Sequence, residues 1–321
     1  MIRIAIAGCG EHSRSSHAAP LARYATRHAG EIELVAACDL NADRAAEFCH
    51  SFGFLRSYTD LEQMLDTEKI DGCVCVMPIE HIVGTGIQLL ERGIPCVIEK
   101  PLGNSLADAE RLAHAAAETQ TPHMVSVNRR FMPYLNRARS WMKELGTPRY
   151  VRASQVRHAR NEADFIRSTA IHVLDALRYM VGDVKDFEAE IQHANDPGAA
   201  TWYIISLRFG NGTTGRIEVL PTAGMLEESY EFFGEDFRAR VTAGSGPQRS
   251  LKCWHRGDLV IDEKASDDEP EDLRNGSYQE VETFVGALKT ATRPKPEVKD
   301  ILPSARICFA IADLTRKDGL F

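Results

Sequence analysis

Two groups of side chains in this chain have the types and spacing to do chemistry. The first ends the stretch from Gly93 to Leu102, Gly-Ile-Pro-Cys-Val-Ile-Glu-Lys-Pro-Leu. Residues 94–98 form a short, mostly apolar run that reads as a buried strand. A Glu and a Lys at the exit of such a strand are costly unless something needs them there. Pro101 stops the strand and fixes φ, so Lys100 stands at a rigid corner beside Glu99. The second group is His172 and Asp175, three apart on a helical pattern over 168–181 and so neighbours on one face, with Tyr179 a turn beyond. An imidazole that titrates near neutrality is the natural proton carrier for a carbinol, and a neighbouring carboxylate can orient it. Each group also has a plain structural reading, a salt bridge at a strand exit and a surface His–Asp pair. What lies upstream decides against both.

Residues 2–7 form a strand that runs into Gly8-Cys9-Gly10-Glu11-His12-Ser13, followed by a helical pattern. This is Gly-x-Gly-x-x-Gly with serine in the third place. Gly8 allows the tight turn, Gly10 lets a pyrophosphate approach the backbone, and Ser13 is small enough to keep helix and strand close. The helix start supplies N–H donors and a positive dipole end. The partner acid is Asp39 at the end of the second strand, placed to accept from ribose hydroxyls, or alternatively to cap the helix starting near Ala42. Asp39 would repel a 2′-phosphate, and Leu40 and Asn41 offer no arginine to hold one, although Arg44 follows a turn later. The cofactor expected is therefore NAD, with NADP less favoured.

These residues need a scaffold, and the pattern supplies one. Strands fit 2–7, 32–38, 71–76, 94–98 and 123–127, with a shorter one near 54–57; helices fit 17–29, 42–51, 60–66, 80–92 and 105–119. Such alternation implies a parallel sheet covered by helices on both faces. Asn104 or Ser105 caps the helix over 105–119. After Asn128 the texture changes. Helices fit 132–145 and 168–181, and strands fit 149–158, 184–193, 201–209, 213–219, 228–234 and 236–243, with Gly-Asn-Gly at 210–212 as a hairpin. Residues 263–272 read as an acidic solvated loop, and helices over 277–290 and 301–317 follow. The expected domains are 1–127, dinucleotide-binding, and 128–321, an α+β domain built on a meander of antiparallel strands. At the junction, Asn128 and Arg129 read either as a solvated hinge or as cofactor or substrate contacts. Arg157, Arg160 and Arg167 read as an anion site or as partners of Glu162 and Asp164.

A formal net charge of −8 disfavours nucleic acid or an anionic membrane as partner. No apolar run approaches a membrane span, and the N-terminus reads as a strand rather than a signal peptide. The eight cysteines show no zinc-finger spacing; they read as reduced core residues of a cytoplasmic protein, with no metal expected.

With Gly8 and Gly10, Asp39, Pro78 and His81, and Glu99-Lys100-Pro101 together, the first domain resembles the Gfo/Idh/MocA family of NAD(P)-dependent oxidoreductases, the glucose–fructose oxidoreductase and inositol dehydrogenase type. The likeness continues through Asn128-Arg129-Arg130 and His172-Val-Leu-Asp175 to about Gly182; beyond that only the order of strands agrees. It implies a Rossmann domain followed by an α+β domain with a large open sheet that often forms a dimer interface, hence a homo-oligomer. It implies a nicotinamide between the domains, Lys100 touching the reacting hydroxyl or carbonyl, and His172 as acid or base. Gly8, Gly10, Ser13, Asp39, Pro78, His81, Glu99, Asn128 and Arg129 would face the cofactor. Many members carry Asp-x-Gly-x-His-x-x-Asp, where this chain has Ser168 and Ala170 ahead of His172, leaving the cleft one carboxylate short. The expected activity is hydride transfer between a nicotinamide and a secondary alcohol or ketone of a sugar, polyol or related small molecule. The alternatives are a glycosidase that uses NAD transiently and a non-catalytic NAD-binding regulator.

Overall fold

The computed structural model describes residues 1–162, 164–192, 201–243, 249–266 and 268–317. The chain forms two compact units, residues 1–127 with 277–302, and residues 128–276 with those from 303 onward.

The first unit is built on six parallel strands: β1 (Ile2–Ala7), β2 (Ile32–Cys38), β3 (Arg56–Tyr58), β4 (Gly72–Cys75), β5 (Cys96–Glu99) and β6 (His123–Ser126), in the order β3-β2-β1-β4-β5-β6. Apart from the edge strand β3 and the first two residues of β1, their side chains are almost all buried, as a sheet covered on both faces requires. The order reverses between β1 and β4, the switch point where open α/β sheets bind ligands. Helix starts follow from local chemistry. Asn41 caps Ala42–Phe52 by accepting from the Arg44 N–H at 2.9 Å, Asp60 caps Leu61–Thr67, and Ser105 caps Leu106–Thr119. The first helical stretch runs from Glu11 to Arg27, its residues Arg14–Ala18 in π-helical form. That length accounts for the wide spacing between the glycines and Asp39.

Residues 277–302, read from sequence as part of the second domain, belong to the first unit instead. On the helix Ser277–Thr290, Phe284 and Leu288 lie over Gly72, which has no side chain to keep them off. Further on, the Val125 N–H donates to the Pro296 carbonyl at 2.8 Å, so this segment runs along the open edge of β6.

The second unit carries eight strands: β7 (Tyr150–Val156), β8 (Val184–Gln192), β9 (Trp202–Phe209), β10 (Thr214–Leu220), β11 (Glu227–Gly234), β12 (Phe237–Ala243), β13 (Ser250–His255) and β14 (Asp258–Lys264). Their order is β14-β13-β12-β11-β7-β10-β9-β8. The sheet is antiparallel except where β7 lies parallel to β10, between the runs β8–β10 and β11–β14. The connection explains it: β7 leaves through the helices Phe165–Ser168 and Ile171–Val181, and the chain returns through β8 and β9 before β10 is laid down. The hairpin β13–β14 was missed in the sequence, and it takes in Glu263 and Lys264 of the expected loop. Its turn, Arg256-Gly257, has positive φ at both residues, the form that matches the twist of paired strands. The helix expected over 168–181 is two pieces broken at Thr169-Ala170. The end of the expected strand at 193 lies outside the described residues.

All eight cysteines are buried and free. Among the described residues no helix is long and apolar enough to cross a membrane.

Candidate active site

The turn after β1 is shaped by two glycines with different reasons to be glycine. Gly8 has φ +95°, and any Cβ there would collide with the Val76 carbonyl as the chain passes β4. Gly10 has ordinary backbone angles, but a Cβ on it would meet nothing within 4 Å; it fronts open space at the start of the helix. Ser13 is wholly buried, and its hydroxyl is left without a hydrogen-bond partner. These are the features a bound pyrophosphate uses: a bare backbone to approach, helix N–H groups and a spare hydroxyl.

Asp39 stands at the end of β2 with its carboxylate fixed. Oδ2 accepts from the Cys9 N–H at 3.0 Å and Oδ1 from the Asn41 N–H at 2.9 Å. The cap of the following helix is Asn41, so Asp39 is not spent on capping. Arg44 lies 3.5 Å from the carboxylate. Gly8, Gly10, Ser13, Asp39, Pro78, His81, Glu99 and Lys100 all line one cleft of about 530 Å³ at the carboxyl ends of the strands. The residues of this unit fit a dinucleotide.

Glu99 is buried, and sequence reasoning did not find its partners. His12 Nε2 lies 2.9 Å and His17 Nε2 2.8 Å from its Oε1. Burial opposes ionisation of Glu99, yet His12, His17 and Lys100 hold its carboxyl well below the ordinary range. The only signal in the sequence was the pair of histidines just behind the glycine turn. Glu280 lies in the same unit, accepting from the Ser126 hydroxyl at 3.0 Å and the Val127 N–H at 3.1 Å. Burial, with the charge on Glu99, pushes the Glu280 carboxyl up to about 8. The folded protein thus holds this proton more tightly than the unfolded chain, where a glutamate titrates near 4.5. The stability it contributes is complete below about pH 4.5 and is lost as pH rises through about 8. Thermal melts between pH 5 and about pH 8.5 should show Tm falling with pH, and Glu280→Gln should flatten that fall. An unchanged slope in the variant would reassign the dependence to other groups.

In the second unit His172 and Asp175 sit on the helix Ile171–Val181, both buried. Asp175 is bound in a way the sequence did not suggest. Arg130 Nε and Nη2 donate to its two oxygens at 2.7 and 2.8 Å, and the Ser304 hydroxyl donates to Oδ1 at 2.8 Å. The carboxylate expected to serve His172 is thus the counter-ion of an arginine. Asn128 and Arg129, expected at the cofactor, are engaged within this unit as well. Asn128 donates to the Asn275 carbonyl at 2.9 Å, and Arg129 forms a bidentate pair with the buried Glu228 at 3.0 and 2.9 Å. Arg157 also reaches Glu228 at 2.8 Å, and Arg160 pairs with Glu162 at 2.5 Å. The contacts of Arg129 and Arg157 serve the fold of this unit, because a buried carboxylate such as Glu228 needs such cations.

Two family models match the chain. The oxidoreductase family, NAD-binding Rossmann fold model of GFO_IDH_MocA matches residues 2–128, and the GFO/IDH/MocA C-terminal domain model matches residues 137–240. The likeness therefore extends well past Gly182. D-apiose dehydrogenase from Paraburkholderia graminis is 29% identical over 207 residues, 60% of this chain and 52% of that protein, so the chain spans about half of that relative's length. Myo-inositol 2-dehydrogenase from Thermotoga maritima is 22% identical, over 87% of this chain and 90% of its own. Among solved structures, levoglucosan dehydrogenase in complex with NADH superposes with a TM-score of 0.83 at 19% identity, covering 98% of this chain and 97% of the other.

Proposed function

Because the chain belongs to the Gfo/Idh/MocA family of NAD-binding oxidoreductases, we propose that it is an NAD-dependent dehydrogenase oxidising a secondary alcohol of a sugar, polyol or related hydroxylated small molecule, and that it works in the cytoplasm. The observation that carries this reading is the cleft in which Lys100 shares walls with the glycine turn and with a carboxylate held by two backbone N–H groups. The named relatives act on a sugar or a polyol by their own descriptions, which supports the substrate class.

A nicotinamide supplies the acceptor for the hydride. The chain supplies the rest. Gly10 and the start of the helix take the pyrophosphate, with the Ser13 hydroxyl beside them. Asp39 accepts from the adenosine ribose. Lys100 hydrogen-bonds the carbinol oxygen and stabilises the charge that develops on it. His172 takes the hydroxyl proton. The test is a panel of sugars and polyols with NAD and with NADP, read as accumulated reduced cofactor. An enzyme that oxidises and then re-reduces its substrate would turn over with no such accumulation.

Cofactor choice follows from Asp39. Its fixed carboxylate repels a 2′-phosphate, so NADH should bind more tightly than NADPH. Arg44, 3.5 Å away, is engaged by that same carboxylate. Asp39→Ala should weaken NADH and narrow the gap, since it removes the ribose acceptor and frees Arg44 for a phosphate. Fluorescence titration of both cofactors checks this, and tighter NADPH binding by the wild type would overturn it.

A further inference from the structure

His12 and His17 are five residues apart, and in a regular helix of about 3.6 residues per turn one of them would face away from the other. Here the intervening turn, Arg14–Ala18, is π-helical, and its i to i+5 repeat brings both imidazoles to one side. Both meet Glu99, and the three donor atoms all lie within 4.8 Å of one another. The second carboxylate oxygen of Glu99 is buried and without a hydrogen-bond partner, on a side chain only 5% exposed. Both imidazoles crowd Oε1 and leave the buried Oε2 bare, an arrangement that a hydrogen-bonded triple alone does not need. Two imidazoles and a carboxylate are instead a donor set for a divalent transition metal, zinc among them.

We propose that His12, His17 and Glu99 form a binding site for a divalent transition-metal ion, with its open coordination position directed to the cleft that His12 lines. Three protein ligands complete all but one position of a tetrahedral zinc site, and the side chain of His12 is about half exposed, which gives the ion a path in. Lys100 opposes a cation here. The sequence reading expected no metal because the ligands come from two stretches more than 80 residues apart, 87 and 82 for the two histidines. A bound ion takes the charge of Glu99 away from Lys100, so it should inhibit turnover. This last consequence rests on the proposed dehydrogenase reading; binding of the ion does not.

Calorimetric titration of zinc into the metal-stripped full chain, without cofactor, tests the site directly. One ion should bind per chain. His12→Gln, at a half-exposed position the fold tolerates, should weaken binding by more than the roughly 10–100-fold that loss of an outer-shell partner costs. His114→Gln, which alters a surface pair with Glu118, should not change it. Cobalt in place of zinc should give a spectrum of nitrogen and oxygen ligation without a thiolate band, since all eight cysteines are buried. Equal zinc affinity in the wild type and His12→Gln, no binding at all, or a thiolate band would each overturn the proposal, whatever the enzyme's activity. If zinc binds as described yet leaves turnover untouched, the inhibitory consequence is wrong and the site stands.

Discussion

Replacing Lys100 with methionine should lower kcat by about 10²–10⁴ while the affinity for NADH changes little, and His172→Ala should do the same. In the oxidative direction the carbinol hydrogen leaves as hydride, and the hydroxyl proton must go to a base. An ammonium against the oxygen is most useful as negative charge grows there, so its loss falls on the chemical step rather than on cofactor binding. The substitution is also a fair one. Glu99 keeps both of its imidazole contacts when Lys100 is gone, so no buried carboxylate is stranded. The measurement is single-turnover reduction of NAD on a substrate found by the panel, beside an NADH titration of each variant. Near-wild-type turnover in Lys100→Met would return the Glu99-Lys100 corner to an ion pair at a strand exit.

The parts of this site that were legible in the sequence are those whose reason is local. The turn at Gly8 and Gly10 is demanded by the backbone within a few residues, and Asp39 is placed by the end of its own strand. The parallel sheet was legible because most of its strands are largely apolar and several of its helices carry a local cap, as with Ser105. What escaped depends on contacts between distant stretches. His12 and His17 meet Glu99 only because β1, β4 and β5 are neighbours in the sheet, and the π-helical turn that aligns them leaves no mark in composition. The helix Ser277–Thr290 shows an apolar face in the sequence, and that face does not say which unit will bury it. Glu228 looks like any strand glutamate until Arg129, 99 residues away, is folded against it. Arg256-Gly257 carried a local turn signal that was overlooked, and with it went the last hairpin.

Asp175→Asn should destabilise the second unit by about 3–5 kcal/mol, the range found when one partner of a buried ion pair is removed. Asp175 is 1% exposed, and its oxygens are occupied by Arg130 and Ser304, with Arg178 3.7 Å away. The amide keeps the shape but leaves these arginines without the charge they face. Ser304→Ala removes only a neutral donor and should cost about 1 kcal/mol. If Asp175 served His172 alone, Asp175→Asn would lose activity as His172→Ala does while its unfolding midpoint stayed put. On the contacts seen here the order is reversed. The denaturation midpoint should fall first and furthest, and the protein that remains folded should keep more turnover than His172→Ala. Chemical denaturation of both variants, followed by a probe in the second unit and paired with kcat measured well below the transition, separates the two accounts. An unshifted midpoint with turnover as low as that of His172→Ala would make Asp175 a partner of the histidine after all, and the arginine pair incidental.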